Sequence, residues 1–318
     1  YFPAEIRRTI DAGVTWETMY VGDIGEFIGE CKCGGKNNLM CICTSNTRML
    51  VYDVPTKTWT NLSFPSMLGP LAEFQSYFAA DILRDFYDNL AGPSWLNNNA
   101  WLNGNPCTNA WHGVECDGTD GTATDVIGLR LPANGLSGQL PSSLAYLSRL
   151  QTLELQVNQL SGTIPAPMGR LTKLKRLSLF NNDLTGTISR KLGFMSALEN
   201  LALFNNELIG ELPDQIGDLS RLKWLYLYNN KLSGQIPKAM GNLQNLQWLH
   251  LRNNELTGTL PPEIGMLPYL RALDLSKNFI GGQIPESWRT MTGLAHFDVS
   301  DNRLRSYQFN KIFLDDQV

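Results

Sequence analysis

The strongest pattern along the chain is a hydrophobic repeat that returns every 24 residues through its second half. Each unit approximates L-x-x-L-x-L-x-x-N-x-L, and no unit inserts or deletes a residue. The alternating x-L-x-L-x segment predicts a short strand with leucines facing a core and x positions facing solvent. A coil of this kind cannot bury its apolar face alone, so stacked neighbours are expected to share one core. The eight units begin at Val126, Leu150, Leu174, Leu198, Leu222, Leu246, Leu270 and Leu294.

Two polar columns accompany the leucines. An asparagine recurs where the chain leaves each strand, and its amide is expected to bond backbone groups of adjacent coils as a ladder. A glycine follows, which predicts a positive φ in the next turn, and an Ile-Pro or Leu-Pro pair then predicts extended backbone. The asparagines are Asn134, Asn158, Asn182, Asn206, Asn230, Asn254, Asn278 and Asn302. The glycines are Gly138, Gly162, Gly186, Gly210, Gly234, Gly258 and Gly282.

The combined motif L-x-G-x-I-P-x-x-[LIM]-G-x-L resembles the plant-type leucine-rich repeat of receptor ectodomains, polygalacturonase-inhibiting proteins and algal or oomycete surface proteins. The residues before the repeats resemble that family's N-terminal cap, with a helix at 82–87 and the segment Trp111-His112-Gly113-Val114-Glu115-Cys116. The resemblance implies a disulfide between Cys107 and Cys116. It also implies an α/β-type solenoid: a leucine-rich-repeat superhelix with a parallel β-sheet on its concave face. Departures are Ser189 in place of a proline and the lack of a C-terminal cysteine pair.

These patterns divide the chain into four parts. We expect a β-rich, disulfide-stabilised subdomain at 1–77, the cap at 78–125, eight repeats at 126–304 and a tail at 305–318. Strands are predicted at 15–21 and in a hairpin at 49–62. The tail either folds over the last coil as an apolar lid or leaves an open sheet edge, which invites pairing with another molecule.

Four cysteines, Cys31, Cys33, Cys41 and Cys43, flank a glycine-rich turn. In a hairpin, Cys31 lies opposite Cys43 and Cys33 opposite Cys41. The alternatives are two disulfides, a four-thiolate metal site or free thiols. An even number of clustered cysteines favours disulfides and hence a secreted or cell-surface location. Asn61 lies in a glycosylation sequon, which gives a candidate glycan site.

Charge and composition argue against several classes of function. The net charge is −4, which disfavours a nucleic-acid partner, and no apolar run approaches the roughly 18 residues of a membrane span. No nucleophile motif, phosphate-binding glycine loop or zinc-hydrolase helix occurs in the sequence. We therefore expect a protein without catalytic activity and without a cofactor.

The solvent-facing strand positions contain an aromatic patch on repeats three to six. Large aromatic residues there are unnecessary for the core, and such patches commonly mark interfaces, whose energetic centres are rich in Trp, Tyr and Arg. The alternative is cross-strand packing that only stabilises the sheet. The patch consists of Phe180, Phe204, Trp224, Tyr226, Tyr228, Trp248 and His250, with Arg176 and Arg252 at its edges.

A second group of polar residues falls on the last repeats. Asp274, Asp298 and Asp301 are expected near His250 and His296. Carboxylates on adjacent strands suit acid–base chemistry or calcium, and the plain alternative is a solvated acidic surface.

Two functions follow. The first is an extracellular module that binds a protein, peptide or glycan through the aromatic patch. The alternative is a self-assembling subunit of a fibril, matrix or cell-surface appendage, joined through the N-terminal region and the open C-terminal end.

Overall fold

A computed structural model describes the backbone of residues 5–9, 16–20, 30–34, 40–44, 48–53, 58–63, 68–118 and 125–305, and side chains from residue 79 onward within these ranges. The predicted lid at 306–318 lies outside the described residues. The chain divides into two compact units, Tyr1–Phe74 and Gln75–Val318.

The first unit contains two antiparallel sheets. The hairpin predicted around 54–57 is present as an antiparallel pair of strands, and the hairpin of cysteines has the expected register, Cys31 opposite Cys43 and Cys33 opposite Cys41. Whether these cysteines form disulfides stays a prediction, as does glycosylation of Asn61, which pairs with Leu50 in the same sheet. The strands are β1 (Glu5–Thr9) with β2 (Trp16–Tyr20), and β3 (Glu30–Gly34), β4 (Met40–Thr44), β5 (Arg48–Asp53) and β6 (Thr58–Ser63).

The cap begins with helix α1, Leu68–Asn89, which is longer than the helix at 82–87 expected from the sequence. Its buried face includes Leu83 and Phe86, and the Phe86 ring packs against Trp95 and Trp101. Trp95 and Trp101 meet edge to face with ring centroids 4.8 Å apart, and each indole N–H donates to a backbone carbonyl. The predicted Cys107–Cys116 disulfide is present.

The repeats form one long sheet of nine strands. Strand β7 (Val114–Cys116) comes from the cap and is antiparallel to its neighbour, whereas all later strands are parallel. Successive coils pair residue i with residue i+24, as in Thr152 opposite Arg176, because no unit changes in length. The parallel strands are β8 (Val126–Arg130), β10 (Thr152–Glu154), β12 (Arg176–Ser178), β14 (Asn200–Ala202), β16 (Trp224–Tyr226), β18 (Trp248–His250), β20 (Ala272–Asp274) and β22 (His296–Asp298).

Shorter strands and single 3-10 turns complete each coil. The short strands are β9 (Ser137–Gln139), β11 (Gln159–Thr163), β13 (Asp183–Thr185), β15 (Ile209–Glu211), β17 (Lys231–Gln235), β19 (Glu255–Thr257), β21 (Gly281–Gly282) and β23 (Arg303–Leu304). The 3-10 helices are Gly92–Ser94, Ser142–Tyr146, Ala166–Arg170, Arg190–Phe194, Asp214–Asp218, Lys238–Asn242, Pro262–Met266 and Glu286–Thr290.

The core lies inside the coils and is built from the repeated leucines, most of which are fully buried. The asparagine column forms the predicted ladder: Asn206 Nδ2 donates to the carbonyls of Leu179 and Leu203, both at 3.0 Å. The glycine column has positive φ, as at Gly234 (76°). The leucine-rich-repeat solenoid predicted from the sequence is therefore the observed fold.

Candidate functional site

The x positions of the strands form three rows across the exposed face of the long sheet, which the sequence predicts to be concave. In the first row, Trp224 lies directly opposite Trp248 in register, and in the second, Tyr226 lies opposite His250. All four side chains are partly buried. The aromatic patch predicted from the sequence is thus one continuous surface on neighbouring strands.

The third row of the patch packs on itself. Phe180 and Phe204 stack with ring centroids 4.2 Å apart, and Phe204 and Tyr228 stack at 4.3 Å. Face-on neighbours at this spacing follow from the sheet geometry, because adjacent strands lie about 4.8 Å apart. These three residues therefore match the cross-strand packing alternative as well as the binding alternative.

The tryptophans behave differently from the third row. Among the described residues, the ring of Trp224 has no aromatic partner. The Lys223 ammonium lies over this ring, 5.9 Å from its centroid. Within the described part of the chain, the one aromatic contact of Trp248 is an edge-to-face contact with His250, with centroids 6.1 Å apart. The indole faces are therefore more available to a ligand than the phenyl faces of the third row.

A second asparagine ladder lies beside the patch and was not foreseen from the sequence. Asn205 Nδ2 donates to Asn181 Oδ1 at 2.6 Å, and Asn229 Nδ2 donates to Asn205 Oδ1 at 2.6 Å. These residues have φ near 53°, in the left-handed region that asparagine tolerates better than most residues. The pair of adjacent asparagines in F-N-N and Y-N-N is the sequence signal for this ladder.

The first coils carry an ion-pair chain on the same face. Arg130 bonds both Glu115 and Glu154, and Arg176 bonds Glu154 at 3.0 Å. Burial alone would lower the pKa of Arg130, but the two glutamates raise it overall. Arg176, predicted to edge the patch, is thus already paired, whereas Arg252 at the other edge is exposed and has no ion pair among the described residues.

The last coils carry the histidines and aspartates. His250 lies opposite Asp274, and Asp274 opposite Asp298, while the imidazole centroids of His250 and His296 are 6.2 Å apart. Asp274 is buried, which corrects the expectation of a solvated carboxylate, because Ser276 donates to its Oδ1 through both the amide and the hydroxyl. Asp301 lies on the following turn and is exposed.

Burial shifts several pKa values in this region. Burial lowers the pKa of His250, an effect that Asp274 opposes and His296 reinforces. Burial also raises the pKa of Tyr226 and of Tyr228, so both phenols are neutral at physiological pH. The middle of the exposed face therefore bears aromatic rings and neutral polar groups.

Across residues 79–118 and 125–305, no three His, Cys, Asp or Glu side chains converge as metal ligands. No described helix has the length and apolar character needed to cross a bilayer.

Comparison with known proteins identifies the repeat. A family model described as Leucine rich repeat matches residues 196–256, and another of the same description matches residues 269–291. Among curated proteins, none matches the chain.

Solved structures with the same architecture include two plant receptors. The plant peptide hormone receptor RGFR1, solved with RGF2, is 34% identical over 54% of this chain and 27% of the receptor chain, with a TM-score of 0.53. The ectodomain of the Arabidopsis thaliana receptor kinase GASSHO1/SCHENGEN3, solved with CASPARIAN STRIP INTEGRITY FACTOR 2, is 30% identical over 72% of this chain and 30% of that chain, with a TM-score of 0.59. This chain therefore spans less than a third of either receptor chain.

A plant ice-binding protein is also similar, at 27% identity over 71% of this chain and 86% of that one, with a TM-score of 0.50. The same scaffold thus serves different ligands, and the ligand must be argued from the variable residues. The repeats of this chain are leucine-rich repeats, stacked into the same kind of solenoid as plant receptor ectodomains.

Proposed function

We propose that this chain is a non-enzymatic extracellular recognition module that binds a peptide or protein segment across the aromatic patch. The observation that supports this most is the pair Trp224 and Trp248, which lie side by side on adjacent strands with no ring stacked on either indole among the described residues. Tryptophan supplies much of the energy in binding hot spots when its ring is covered by a partner. The similarity to a plant peptide hormone receptor, RGFR1, supports a peptide over a glycan.

The long sheet suits an extended ligand. Its three rows run across the coils with a strand spacing of about 4.8 Å, so a segment laid across them meets a new side chain at each coil. The patch is flanked by the paired Arg130–Glu154 chain on one side and by Asp274 and Asp298 on the other. An apolar centre between polar ends resembles the core and rim of a protein interface.

The test is selection of a phage-displayed library of random peptides on the full chain. We expect enriched peptides whose binding is lost in a Trp224→Ala/Trp248→Ala variant, because truncating hot-spot tryptophans removes about 2 kcal/mol or more each. Phe194→Ala is the matched control, since this exposed aromatic lies on a 3-10 helix away from the sheet. Peptides that bind the folded double variant as tightly as the wild type contradict the proposal, and a glycan array run in parallel tests the glycan alternative.

The self-assembly function considered from the sequence has no similar protein in its favour. That function depended on residues 1–77 and 305–318. Of these residues, only Arg305 has a described side chain. Sedimentation across a concentration series tests it directly, and a monomer at every concentration excludes it.

A further inference from the structure

The first row of the long sheet has a small side chain at the C-terminal border of the aromatic patch. In the first row, the large rings of Trp224 and Trp248 are followed by Ala272 and then by His296. Ala272 has no side chain beyond Cβ and is itself buried. The first row therefore has no large side chain on β20, between Trp248 and His296, and we call this place the depression on β20.

Two imidazoles lean over this depression. His250 and His296 stand on β18 and β22, which are separated by β20 and so by about 10 Å. Their ring centroids are only 6.2 Å apart, so the rings tilt toward each other above the intervening strand. Ala272 and Asp274, which neighbour these histidines in register, are both buried.

The floor of the depression is a carboxylate with an unused oxygen. Asp274 is only 8% exposed, and Ser276 satisfies its Oδ1 through two hydrogen bonds of 3.0 and 2.6 Å. Its Oδ2 has no hydrogen-bond partner among the described residues, and it is not among the polar atoms sealed from the surface. The Asp274 Oδ2 can therefore accept a hydrogen bond from an incoming donor without giving up a bond to the protein.

Charge across this region is negative and uncompensated. Asp298 lies next to Asp274 in register, and neither forms an ion pair with a described residue. Arg252 lies one coil earlier in the third row and pairs with neither carboxylate. This contrasts with the first coils, where Glu154 is bonded by two arginines.

His250 does not neutralise the two aspartates at physiological pH. Burial lowers the pKa of His250, so this ring is neutral at physiological pH. Its Nε2 is enclosed without a hydrogen-bond partner among the described residues. The neighbouring Trp248 ring offers a face that attracts a cation. The depression thus combines a free carboxylate oxygen, a second carboxylate, an aromatic wall and a neutral imidazole.

We propose that the depression on β20, formed by Trp248, His250, Ala272, Asp274, His296 and Asp298, receives the guanidinium or ammonium group of a basic residue in the peptide ligand. This inference rests on the proposed function, because the rest of that peptide lies across the aromatic patch. His296 is exposed at the rim and moves aside as the side chain enters. The ligand cation then bonds Asp274 Oδ2 and pairs with Asp298.

The experiment uses the random-peptide selection on the full chain and synthetic peptides made from its consensus. We expect a lysine or arginine at a constant distance from an apolar segment. Replacing that arginine by citrulline, or that lysine by norleucine, should weaken binding to the wild type about tenfold to a hundredfold, the range for a charge-assisted hydrogen bond. Comparing lysine and arginine versions of one peptide distinguishes the two cations.

The matching change on the protein is Asp274→Asn, which keeps the Oδ1 acceptor for Ser276 and removes the charge. On this variant the charged peptide should lose most of its advantage over the neutral one, because its bond to Asp274 is lost and only the pairing with Asp298 remains. Asp214→Asn is the control, since this exposed aspartate lies on a 3-10 helix outside the sheet. Equal binding of the neutral peptide to wild type and Asp274→Asn shows that the variant is folded.

The outcomes separate the two proposals. One outcome overturns this inference alone: the peptides need Trp224 and Trp248, but the citrulline substitution weakens binding equally to the wild type and to Asp274→Asn. The proposed function then stands. The same holds if the selected peptides share no basic residue. Failure to select any peptide that depends on the tryptophans overturns the proposed function, and this inference with it.

Discussion

The side-chain oxygen of Asn230 accepts a hydrogen bond from the backbone amide of Leu208, 22 residues earlier in the chain, at 3.1 Å. Its Nδ2 donates at 3.0 Å to the carbonyls of Leu203 and Leu227. The buried side-chain amide of Asn230 therefore satisfies backbone groups on two coils. It does so where the chain leaves the strand and the neighbouring strand offers these groups no partner. The asparagine column is thus a repeated structural support for the exposed sheet.

Asn230→Ala should destabilise the solenoid by about 2–4 kcal/mol, because it leaves a buried amide and two buried carbonyls without their partner. Chemical denaturation followed by circular dichroism measures the change. Asn242→Ala, at an exposed position of a 3-10 helix in the same coil, should change the free energy of unfolding by less than about 0.5 kcal/mol. Equal effects at the two positions contradict a structural ladder.

A second glycine column brings the 3-10 turns of adjacent coils together. A Cβ placed on Gly217 would lie 2.3 Å from the carbonyl oxygen of Ala239 in the next coil. Gly217→Ala must therefore separate two coils locally, and we expect a loss of about 1–3 kcal/mol, the range for overpacking. Thermal unfolding tests this against Gly293→Ala, where the nearest atom to the new Cβ is 3.7 Å away. The claim fails if Gly217→Ala melts at the temperature of the control.

The framework of this fold was predictable because its cause is local and repeated. Leu201 and Leu225 occupy the same position in successive units of constant length, so their register follows from counting. The Asn206 ladder was predictable for the same reason: an amide at every turn meets the same backbone groups. The cap disulfide between Cys107 and Cys116 was implied by the family resemblance.

The chemistry of the exposed face was only partly predictable. The sequence places Phe204 and Trp224 in rows, but it does not state that Phe204 stacks on both neighbours while Trp224 stacks on none. Nor does it show that the imidazoles of His250 and His296 approach to 6.2 Å across β20, or that Asp274 is buried. These features depend on side-chain rotamers and on contacts between coils, which a one-dimensional pattern does not encode.

The contrast between the two kinds of aromatic residue gives a test of the aromatic patch. Phe204→Ala removes the middle ring of the Phe180–Phe204–Tyr228 stack and should lower the free energy of unfolding by about 1–3 kcal/mol. Trp224→Ala should lower it by less than about 1 kcal/mol, since no ring stacks on this indole among the described residues. Urea denaturation of both variants decides the point. A Trp224→Ala variant as unstable as Phe204→Ala would assign the tryptophans to the stability of the sheet rather than to a ligand.

The lowered pKa of His250 predicts a dependence of stability on pH. Burial is the largest cause, Asp274 opposes it, His296 reinforces it, and the neutral phenols of Tyr226 and Tyr228 line the same face. In the unfolded chain the histidine takes up its proton near its ordinary pKa of 6.5, before the folded protein does. The unfolded state therefore binds more protons between the two pKa values, so this contribution to stability is complete above about pH 6.5 and is lost as the pH falls through the folded pKa.

The measurement is the free energy of unfolding from about pH 8 to about pH 5, compared between the wild type and His250→Gln. Protonation of carboxylates and of His296 affects both proteins, so the difference between the two curves isolates His250. We expect the stability advantage of the wild type to shrink as the pH falls, and an NMR titration to place the imidazole pKa below its ordinary value. Parallel curves for the two proteins, or a His250 pKa above the ordinary value, would show that Asp274 outweighs burial and that the imidazole is already charged above the depression.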